Sequence, residues 1–277
     1  MINLGQYNTL EIFREAEQGI YLSDEEGNEV LLPNRYVPET FKIWEKVEVF
    51  VYLDNEERPV ATTEKPYVTR NDFALLRCSE VTEYGAFLDW GLVKQLFCPF
   101  KEQVFKMKAG GWYLVYCYLD EKTERLVASS KTNKFLDNKD LTVDLFEEVE
   151  LIVSHPSDLG MNVIVNKKHH GLIYSDNIFQ DLSIGDKLKG KVNKIRPGNK
   201  LDITLGTVGY RGIEPNADRI LKELQDRNGF LPLHDKSNPE QIKEILQMSK
   251  KNFKKAIGTL YKKRLVDFKD DGIYLKP

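Results

Sequence analysis

An internal repeat constrains the architecture of this 277-residue chain more than any other feature. VYLDNEERPVATTEK begins at Val51 and CYLDEKTERLVASSK begins at Cys117, and each reads as two strands joined by a polar turn. A fainter third copy, KVNKIRPGNKLDITLG, begins at Lys191. A recurrence of about 65–75 residues is too long for a solenoid repeat and is typical of a string of small domains. Two hairpins that are similar by chance are the alternative, but the sequence around the hairpins recurs as well.

The second copy contains five short β-rich runs separated by Gly, Asp and Pro turns. They cover residues 73–81, 85–90, 95–99, 113–119 and 126–129. Five short strands in about 65 residues predict a closed barrel of the OB-fold type, because closure lets a small domain bury a core without disulfides. We therefore expect a mainly β fold with three tandem barrels, at residues 1–64, 65–137 and 138–209.

The character of the sequence changes after Gly206. Residues 207–217 predict a linker, and three amphipathic helical patterns follow, the first at 217–226. Asn238 before Pro239, and then Ser249, are N-cap signals for the other two helices. The apolar positions are Ile220, Leu221, Leu224, Ile242, Ile245, Leu246, Phe253, Ala256, Ile257, Leu260 and Tyr261. An Asp-Gly turn between runs 265–268 and 273–275 predicts a hairpin, which completes a winged helix, an α/β module, at residues 213–277.

Composition excludes several classes of protein. Hydrophobic residues make up 41% of the chain and charged residues 30%, as in a folded globular protein. The chain lacks an apolar run of about 20 residues and the layout of a signal peptide, so we expect no membrane association. Its three cysteines, Cys78, Cys98 and Cys117, are far apart and form no CxxC pair, which predicts a reduced, cytoplasmic protein without a structural zinc site.

The net charge of −3 is unevenly distributed. Residues 1–64 carry 5 basic and 14 acidic residues, whereas residues 213–277 carry 14 basic and 10 acidic ones. A polyanion should therefore prefer the middle and C-terminal parts of the chain. Two clusters of basic residues lie there, and only Asp186 counters the first of them locally. The first, in the third repeat, is Lys187, Lys189, Lys191, Lys194, Arg196 and Lys200. The second, in and just after the last helix, is Lys250, Lys251, Lys254, Lys255, Lys262, Lys263 and Arg264.

These lysines have two interpretations. Alternation with Leu188, Gly190 and Val192 places Lys187, Lys189 and Lys191 on one face of a strand, where they could hold phosphates or simply face solvent. The last helix offers lysines and a single Asn252, and lysines contact phosphates but specify bases poorly. Contact with RNA is therefore as consistent with this helix as reading of DNA, and a solvated helix is the alternative.

The segment VTEYGAFLDWG, residues 81–91, is the strongest candidate for a binding site. Strand alternation places Phe87 and Asp89 on one face and sends Ala86 and Leu88 into the core. An aromatic ring on the outside of a small barrel offers a face on which a nucleic-acid base can stack. A ring half-buried under a loop is the alternative for Tyr84 or Phe87.

YGAFLDWG, QLFCPFKEQ and YLDEKTERLVASS together resemble the RNA-binding repeat of ribosomal protein S1. The resemblance implies that Tyr84 and Phe87 are stacking aromatics and that Asp120 and Arg125 form a pair at the ligand face. The histidine of that family falls near Pro99, where Phe100 could substitute. The first copy keeps Tyr21, Asp54 and Arg58 but has Gln18 before its glycine, so we expect this acidic copy to bind poorly. In the third copy, Asn162 takes the stacking position, Tyr174 takes the histidine position, and Arg196 and Lys200 stand near the final pair.

Three S1-like repeats followed by a winged helix resemble the conserved virulence factor B family of bacterial regulators. Its most specific stretch here is LQMSKKNFKKAIGTLYKKRLVDFKDDGIYLKP. The resemblance implies binding of single-stranded RNA and control of gene expression. The alternatives are a DNA-binding transcription regulator led by the winged helix, and an adaptor that docks a protein partner on the acidic first barrel.

Catalysis is disfavoured by the sequence. The chain has no GxxxxGK, GxSxG, HExxH or GxGxxG motif. His169 and His170 are adjacent and therefore make a poor chelate on a strand. We expect no enzymatic activity, no cofactor and no metal.

Overall fold

A computed structural model describes residues 1–178, 180–205 and 215–276. The first barrel, barrel 1, consists of β1 (Tyr7–Ala16), β2 (Gly19–Ser23), β3 (Glu29–Pro33), β4 (Lys46–Leu53) and β5 (Pro59–Thr62). Its closed order is β1-β2-β3-β5-β4, with β3 and β5 paired in parallel and the other neighbours antiparallel. Alternating burial along the strands, with Leu10 and Ile12 inside, fills the interior.

The second barrel, barrel 2, consists of β6 (Asp72–Val81), β7 (Gly85–Asp89), β8 (Leu96–Pro99), β9 (Trp112–Asp120) and β10 (Arg125–Ser129). Barrel 3 consists of β11 (Glu148–Ser157), β12 (Gly160–Val165), β13 (His169–Tyr174), β14 (Lys187–Arg196) and β15 (Lys200–Leu205). Both barrels are closed, and their first strands shift register at a bulge. All five strands expected in the second repeat are present, with ends displaced by one residue at most.

The C-terminal module is built from α1 (Pro215–Asp226), β16 (Phe230–Leu231), α2 (Pro239–Leu246), α3 (Lys250–Lys262), β17 (Val266–Lys269) and β18 (Gly272–Leu275). The Asn238 side chain caps α2 by accepting from the Glu240 N–H at 3.1 Å, and Ser249 caps α3 by accepting from the Asn252 N–H at 3.3 Å. These caps confirm the predicted helix starts.

Three details of this module differ from the sequence prediction. Helix α1 begins at Pro215, two residues before the expected start at Ala217, and residues 207–214 of the expected linker lie outside the described part of the chain. Strand β16 was not expected, because two residues carry no periodic pattern. Tyr261, expected in the buried stripe of α3, is 55% exposed and stacks on Phe268 with ring centroids 5.2 Å apart.

Three closed barrels followed by a winged helix confirm the expected fold class. The chain divides into two compact units, Met1–Leu136 and Asp137–Pro277. The first unit holds barrels 1 and 2, and the second holds barrel 3 and the winged helix. The boundaries proposed for four separate domains stay predictions. No helix in the described ranges combines the length and apolar character that crossing a membrane requires.

Barrels 1 and 2 share packing within the first unit. Phe50 and Tyr52 of β4 belong to the same buried cluster as Trp90 and the interior of barrel 2. The Trp90 ring meets Phe50 edge to face at 5.7 Å and Tyr52 at 6.3 Å. Buried edge-to-face aromatic contacts of this kind stabilise beyond their area alone. Buried aromatic packing therefore joins the two barrels of the first unit.

Candidate nucleic-acid interface

A glycine opens the second strand of every barrel. A Cβ atom on Gly19, Gly85 or Gly160 would lie 2.1, 2.5 or 2.1 Å from a carbonyl oxygen of the facing strand. Only glycine permits so close an approach of two backbones. Two residues further along, the side chain points outward, and we call this place the ring position. It is Tyr21 in barrel 1, Phe87 in barrel 2 and Asn162 in barrel 3.

The ring position of barrel 2 lies beside two further aromatics. Ala86 and Leu88 are fully buried, as expected, and Phe87 is half-buried on the outer face. Tyr84 is 71% exposed. Phe97 of β8 is the register partner of Phe87, and their ring centroids are 5.1 Å apart at an interplanar angle of 42°.

Phe97 was missed by the sequence reasoning, which placed the histidine-like position near Pro99 and offered Phe100. Phe100 lies on a short 3₁₀ helix, Phe100–Glu102, and is not among the described residues that line the groove beside Phe87. The available signal was the alternation within β8, where Leu96 and Cys98 are buried and Phe97 must therefore face outward.

An open groove of about 710 Å³ runs beside these rings. Tyr84, Phe87 and Phe97 line it from barrel 2, and Tyr52 and Asn55 are among the residues that line it from barrel 1. The rings are therefore not sealed beneath the neighbouring barrel. An aromatic-lined groove of this kind is suited to flat, unpaired bases.

The groove also contains two cations, and barrel 1 engages both. Arg125 donates from Nη2 to Glu57 of barrel 1, and Lys94 donates from Nζ to the Asp54 carbonyl oxygen at 2.6 Å. Burial lowers the pKa of Lys94, against the opposing influence of Glu57 and Asp54. Asp120 and Arg125 are register partners on β9 and β10, as an adjacent pair requires, but the Asp120 carboxylate accepts from the Lys122 N–H at 3.2 Å and the Arg125 guanidinium pairs with Glu57.

The ring position of barrel 1 is covered by its own barrel. The Arg14 guanidinium lies 3.7 Å from the centroid of the Tyr21 ring and pairs with Glu29 at 2.8 Å. The pair expected at the end of the hairpin is present, because Arg58 bonds to Asp54 at 2.8 and 3.0 Å. An arginine stacked on the tyrosine leaves no open face for a base on that side.

Barrel 3 brings Tyr174, Arg196 and Lys200 to one end. Arg196 lies 5.1 Å from the centroid of the Tyr174 ring and pairs with Asp202 at 2.7 Å. Lys200, the register partner of Arg196, is exposed. At the ring position, Asn162 donates from Nδ2 to the His155 carbonyl oxygen at 3.3 Å. This end presents charge and hydrogen-bonding groups in place of a stacking pair.

The lysine stripe of β14 has counter-charges that the sequence reasoning missed. Lys187, Lys189 and Lys191 are exposed on one face, as expected. Strand β11 lies alongside, with Glu150 opposite Lys189 and Glu148 opposite Lys191. Asp186 is the one acidic residue between residues 186 and 200, but the neighbouring strand adds two more carboxylates beside the stripe. At about 3.3 Å per residue, Lys187 lies about 30 Å along the strand from Arg196, far from the Tyr174 end.

The lysines of α3 are mostly accessible. Lys251, Lys254 and Lys255 are exposed, whereas Lys250 is half-buried and donates to the Lys236 carbonyl oxygen at 3.4 Å. Asn252, the one side chain of the amide type on this helix, donates from Nδ2 to the Asp176 carbonyl oxygen of barrel 3 at 2.5 Å. That amide is therefore already engaged within the second unit.

The adjacent histidines lie on β13 with opposite orientations. His169 is fully buried, and its Nε2 accepts from the Thr142 N–H at 3.1 Å while Nδ1 lies 2.6 Å from the Asp137 carbonyl oxygen. Burial lowers the pKa of His170. Within the described residues, no three His, Cys, Asp or Glu side chains are grouped so that they could hold a metal ion.

The comparisons with known proteins agree with this architecture. A family model described as a CvfB-like winged helix domain matches residues 218–275, and an S1 domain model matches residues 4–64. Both are nucleic-acid-binding domain types, and the matches therefore support nucleic-acid binding by this chain. The S1 match falls on barrel 1, whose ring position is covered. The match therefore reflects the barrel fold of this domain and not an open stacking site.

Relatives match over nearly the whole chain. The uncharacterized protein YitL of Bacillus subtilis is 28% identical over 93% of this chain and 89% of its own. Conserved virulence factor B of Staphylococcus epidermidis is 23% identical over 98% and 94% of the two chains. A solved Streptococcus pneumoniae structure, described as a multidomain protein with nucleic acid binding domains, covers 99% of this chain and 98% of its own, at 22% identity and a TM-score of 0.42. The S1 domain match, the CvfB-like winged helix match and these full-length relatives make the chain similar to the conserved virulence factor B family.

Proposed function

We propose that this chain is an RNA-binding regulatory protein that binds single-stranded RNA in the groove of barrel 2. The observation that carries the proposal is the group of Tyr84, Phe87 and Phe97 rings beside one open groove. Bases stack on these rings, and each stacked base contributes about 1–3 kcal/mol. Duplex DNA cannot use such rings, because its bases are already stacked on one another.

Cations near the rings hold the RNA backbone. Arg125 lines the same groove and can contact a phosphate. Within the second unit, Lys200 and Arg196 offer a separate pair of cations for the same chemistry. Because each neutralised phosphate releases condensed counterions, binding should weaken steeply with salt. The function is binding alone, without a catalytic step, and control of gene expression follows from the transcripts that are bound.

Substitution of the rings tests the proposal. Tyr84→Ala with Phe87→Ala should weaken binding of a labelled single-stranded RNA by roughly 30-fold or more, the sum of two stacking contributions at the low end. Fluorescence anisotropy measures the affinity, and thermal unfolding checks that the fold is retained. Phe105→Ala is the matched control, because Phe105 is 82% exposed on the same barrel and does not line the groove. Unchanged affinity in the double variant would reject the stacking site.

One contact supports RNA over sequence-specific reading of DNA by the winged helix. Asn and Gln amides read adenine in the major groove, and the Asn252 amide of α3 is already bonded to barrel 3. The exposed lysines of α3 fit an additional, sequence-independent phosphate contact. Competition binding checks this: single-stranded RNA should displace labelled RNA at lower concentration than duplex DNA does, and the reverse order would favour a transcription regulator.

A further inference from the structure

The acidic turn between β4 and β5, residues 54–58, is held in one shape. The Asp54 carboxylate accepts from the N–H groups of Glu56 at 2.9 Å and Arg58 at 3.0 Å. Arg58 pairs with both Asp54 and Glu56 at 2.8 Å. Glu57 sits at the tip with a left-handed φ of 63°. Two of the three carboxylates are therefore paired inside the turn, and Glu57 is the one directed at barrel 2.

This turn engages the cations of the groove in barrel 2. Glu57 pairs with Arg125, and the Asp54 carbonyl oxygen accepts from Lys94. The contact is positioned by the packing of Phe50 and Tyr52 of β4 against Trp90. Both partners of the ion pair are about half exposed, at 54% for Arg125 and 43% for Glu57, so the pair can exchange with a ligand.

A guanidinium group binds a carboxylate and a phosphate with the same fork of N–H donors. Glu57 holds Nη2 of Arg125, so a phosphate that takes this fork through Nη2 displaces the Glu57 carboxylate. Displacement leaves Glu57 as an uncompensated negative charge beside the RNA backbone. The exchange reduces the free energy of binding gained from that phosphate. A cation from the solution gathers around the freed Glu57 carboxylate, and its uptake offsets one counterion released from the RNA.

We propose that Glu57 of barrel 1 competes with the RNA phosphate for Arg125, so that the degenerate first barrel sets the affinity of the groove in the second. The inference rests on the proposed function and assigns barrel 1 a role without requiring it to bind RNA itself. Glu57 weakens the contact between Arg125 and a phosphate but leaves the aromatic rings accessible. The groove therefore favours nucleic-acid strands with unstacked bases over polyanions that offer charge alone.

Glu57→Gln tests this competition. With a labelled ten-nucleotide single-stranded RNA, the variant should bind about two- to fivefold tighter than wild type, the range of an exposed ion pair. The plot of log affinity against log salt should become steeper by about 0.7, the contribution of one phosphate on a single strand. Glu56→Gln is the matched control, because it removes the same charge from the same turn but its side chain pairs with Arg58. It should stay within twofold of wild type.

A double variant completes the test. When Glu57→Gln is introduced into the Arg125→Ala variant, it should change the affinity for RNA no more than Glu56→Gln does. Glu57→Ser repeats the measurement if thermal unfolding shows that the Gln variant is damaged. Equal affinities for Glu57→Gln and Glu56→Gln, or weaker binding by Glu57→Gln, would overturn the competition while ring variants still support RNA binding. Failure of the wild type to bind the RNA at all would overturn the proposed function, and the competition with it.

Discussion

Glu102 is a buried carboxylate in barrel 2 that is held by two partners. Lys134 donates from Nζ to both of its oxygens at 3.0 and 2.9 Å, and Ser129 donates from Oγ at 2.6 Å. Desolvation of the carboxylate opposes its ionisation, but these hydrogen bonds outweigh that effect and hold the pKa of Glu102 below its usual value. The side chain ties the 3₁₀ turn after β8 to the end of β10.

A depressed pKa makes Glu102 a source of acid sensitivity. Its contribution to stability is complete above the unfolded-state pKa of about 4.3 and is lost as the pH falls through the lower folded-state pKa. The difference in unfolding free energy between wild type and Glu102→Gln should therefore be constant from pH 7 to about 5 and shrink at more acidic pH. Urea unfolding at several pH values measures it. A difference that stays constant down to pH 3 would contradict the linkage.

Phe97 and Glu57 show which properties of a single residue can be predicted from the sequence and which require the folded structure. The outward direction of Phe97 follows from the alternation of β8, so careful use of the sequence could have found it. The partner of Arg125 could not be found in this way. Asp120 lies five residues from Arg125 on the same hairpin, whereas Glu57 lies 68 residues away, and only the packing of two barrels brings it within reach.

Helix α3 contains one residue that is poorly suited to its conformation. Gly258 lies in its interior, where glycine is unfavourable because the unfolded chain loses more backbone freedom than at other residues. A Cβ atom built on Gly258 would meet nothing within 4 Å. The helix could therefore accept an alanine at this position without steric conflict.

Gly258→Ala should stabilise the winged helix by about 0.5–1 kcal/mol, the difference in helix propensity between the two residues. Chemical denaturation followed by circular dichroism at helical wavelengths measures the change. Gly272→Ala is the contrasting control, because its φ is 156° and a Cβ there would lie 2.2 Å from the Leu231 carbonyl oxygen. It should destabilise the same module. Loss of stability in Gly258→Ala would show that a contact absent from this structure occupies the site.

Strand β14 shows how far an element can be interpreted alone. Its alternation correctly predicted that Lys187, Lys189 and Lys191 share an exposed face. The sequence pattern did not reveal which strand lies next to β14. That strand is β11, and it places Glu148 and Glu150 opposite two of the lysines. Cross-strand pairs of opposite charge stabilise a sheet, so this stripe has a structural use besides any contact with phosphate.

At the scale of the first unit, Trp90 is the residue on which the joining of barrels 1 and 2 depends. It is 2% exposed, its ring contacts Phe50 and Tyr52 of β4, and its Nε1 donates to the Lys94 carbonyl oxygen at 2.5 Å. The groove with its acidic turn exists because this packing holds β4 against the connection between β7 and β8.

Trp90→Ala should lower the unfolding free energy of the first unit by about 3–5 kcal/mol, as removal of a large buried aromatic does. Hydrogen exchange resolved by peptide should increase in β4 as well as in β7 and β8, because both barrels lose a packing partner. Trp112→Ala, at an indole that is 61% exposed on barrel 2, is the control and should change exchange little. Faster exchange confined to barrel 2 would show that the barrels are stabilised independently.

By itself, the sequence determined the three barrels, the caps of the winged-helix helices and the outward direction of Phe87, because these depend on periodicity and on neighbours within a few residues. Tertiary structure alone decided which ring faces are open: Arg14 covers Tyr21, Arg196 lies over Tyr174, and Phe87 borders a groove. It also decided that Arg125 faces Glu57. The physical reason is that charge pairing and exposure depend on distances in space, and these are set by how strands and barrels pack after local structure has formed.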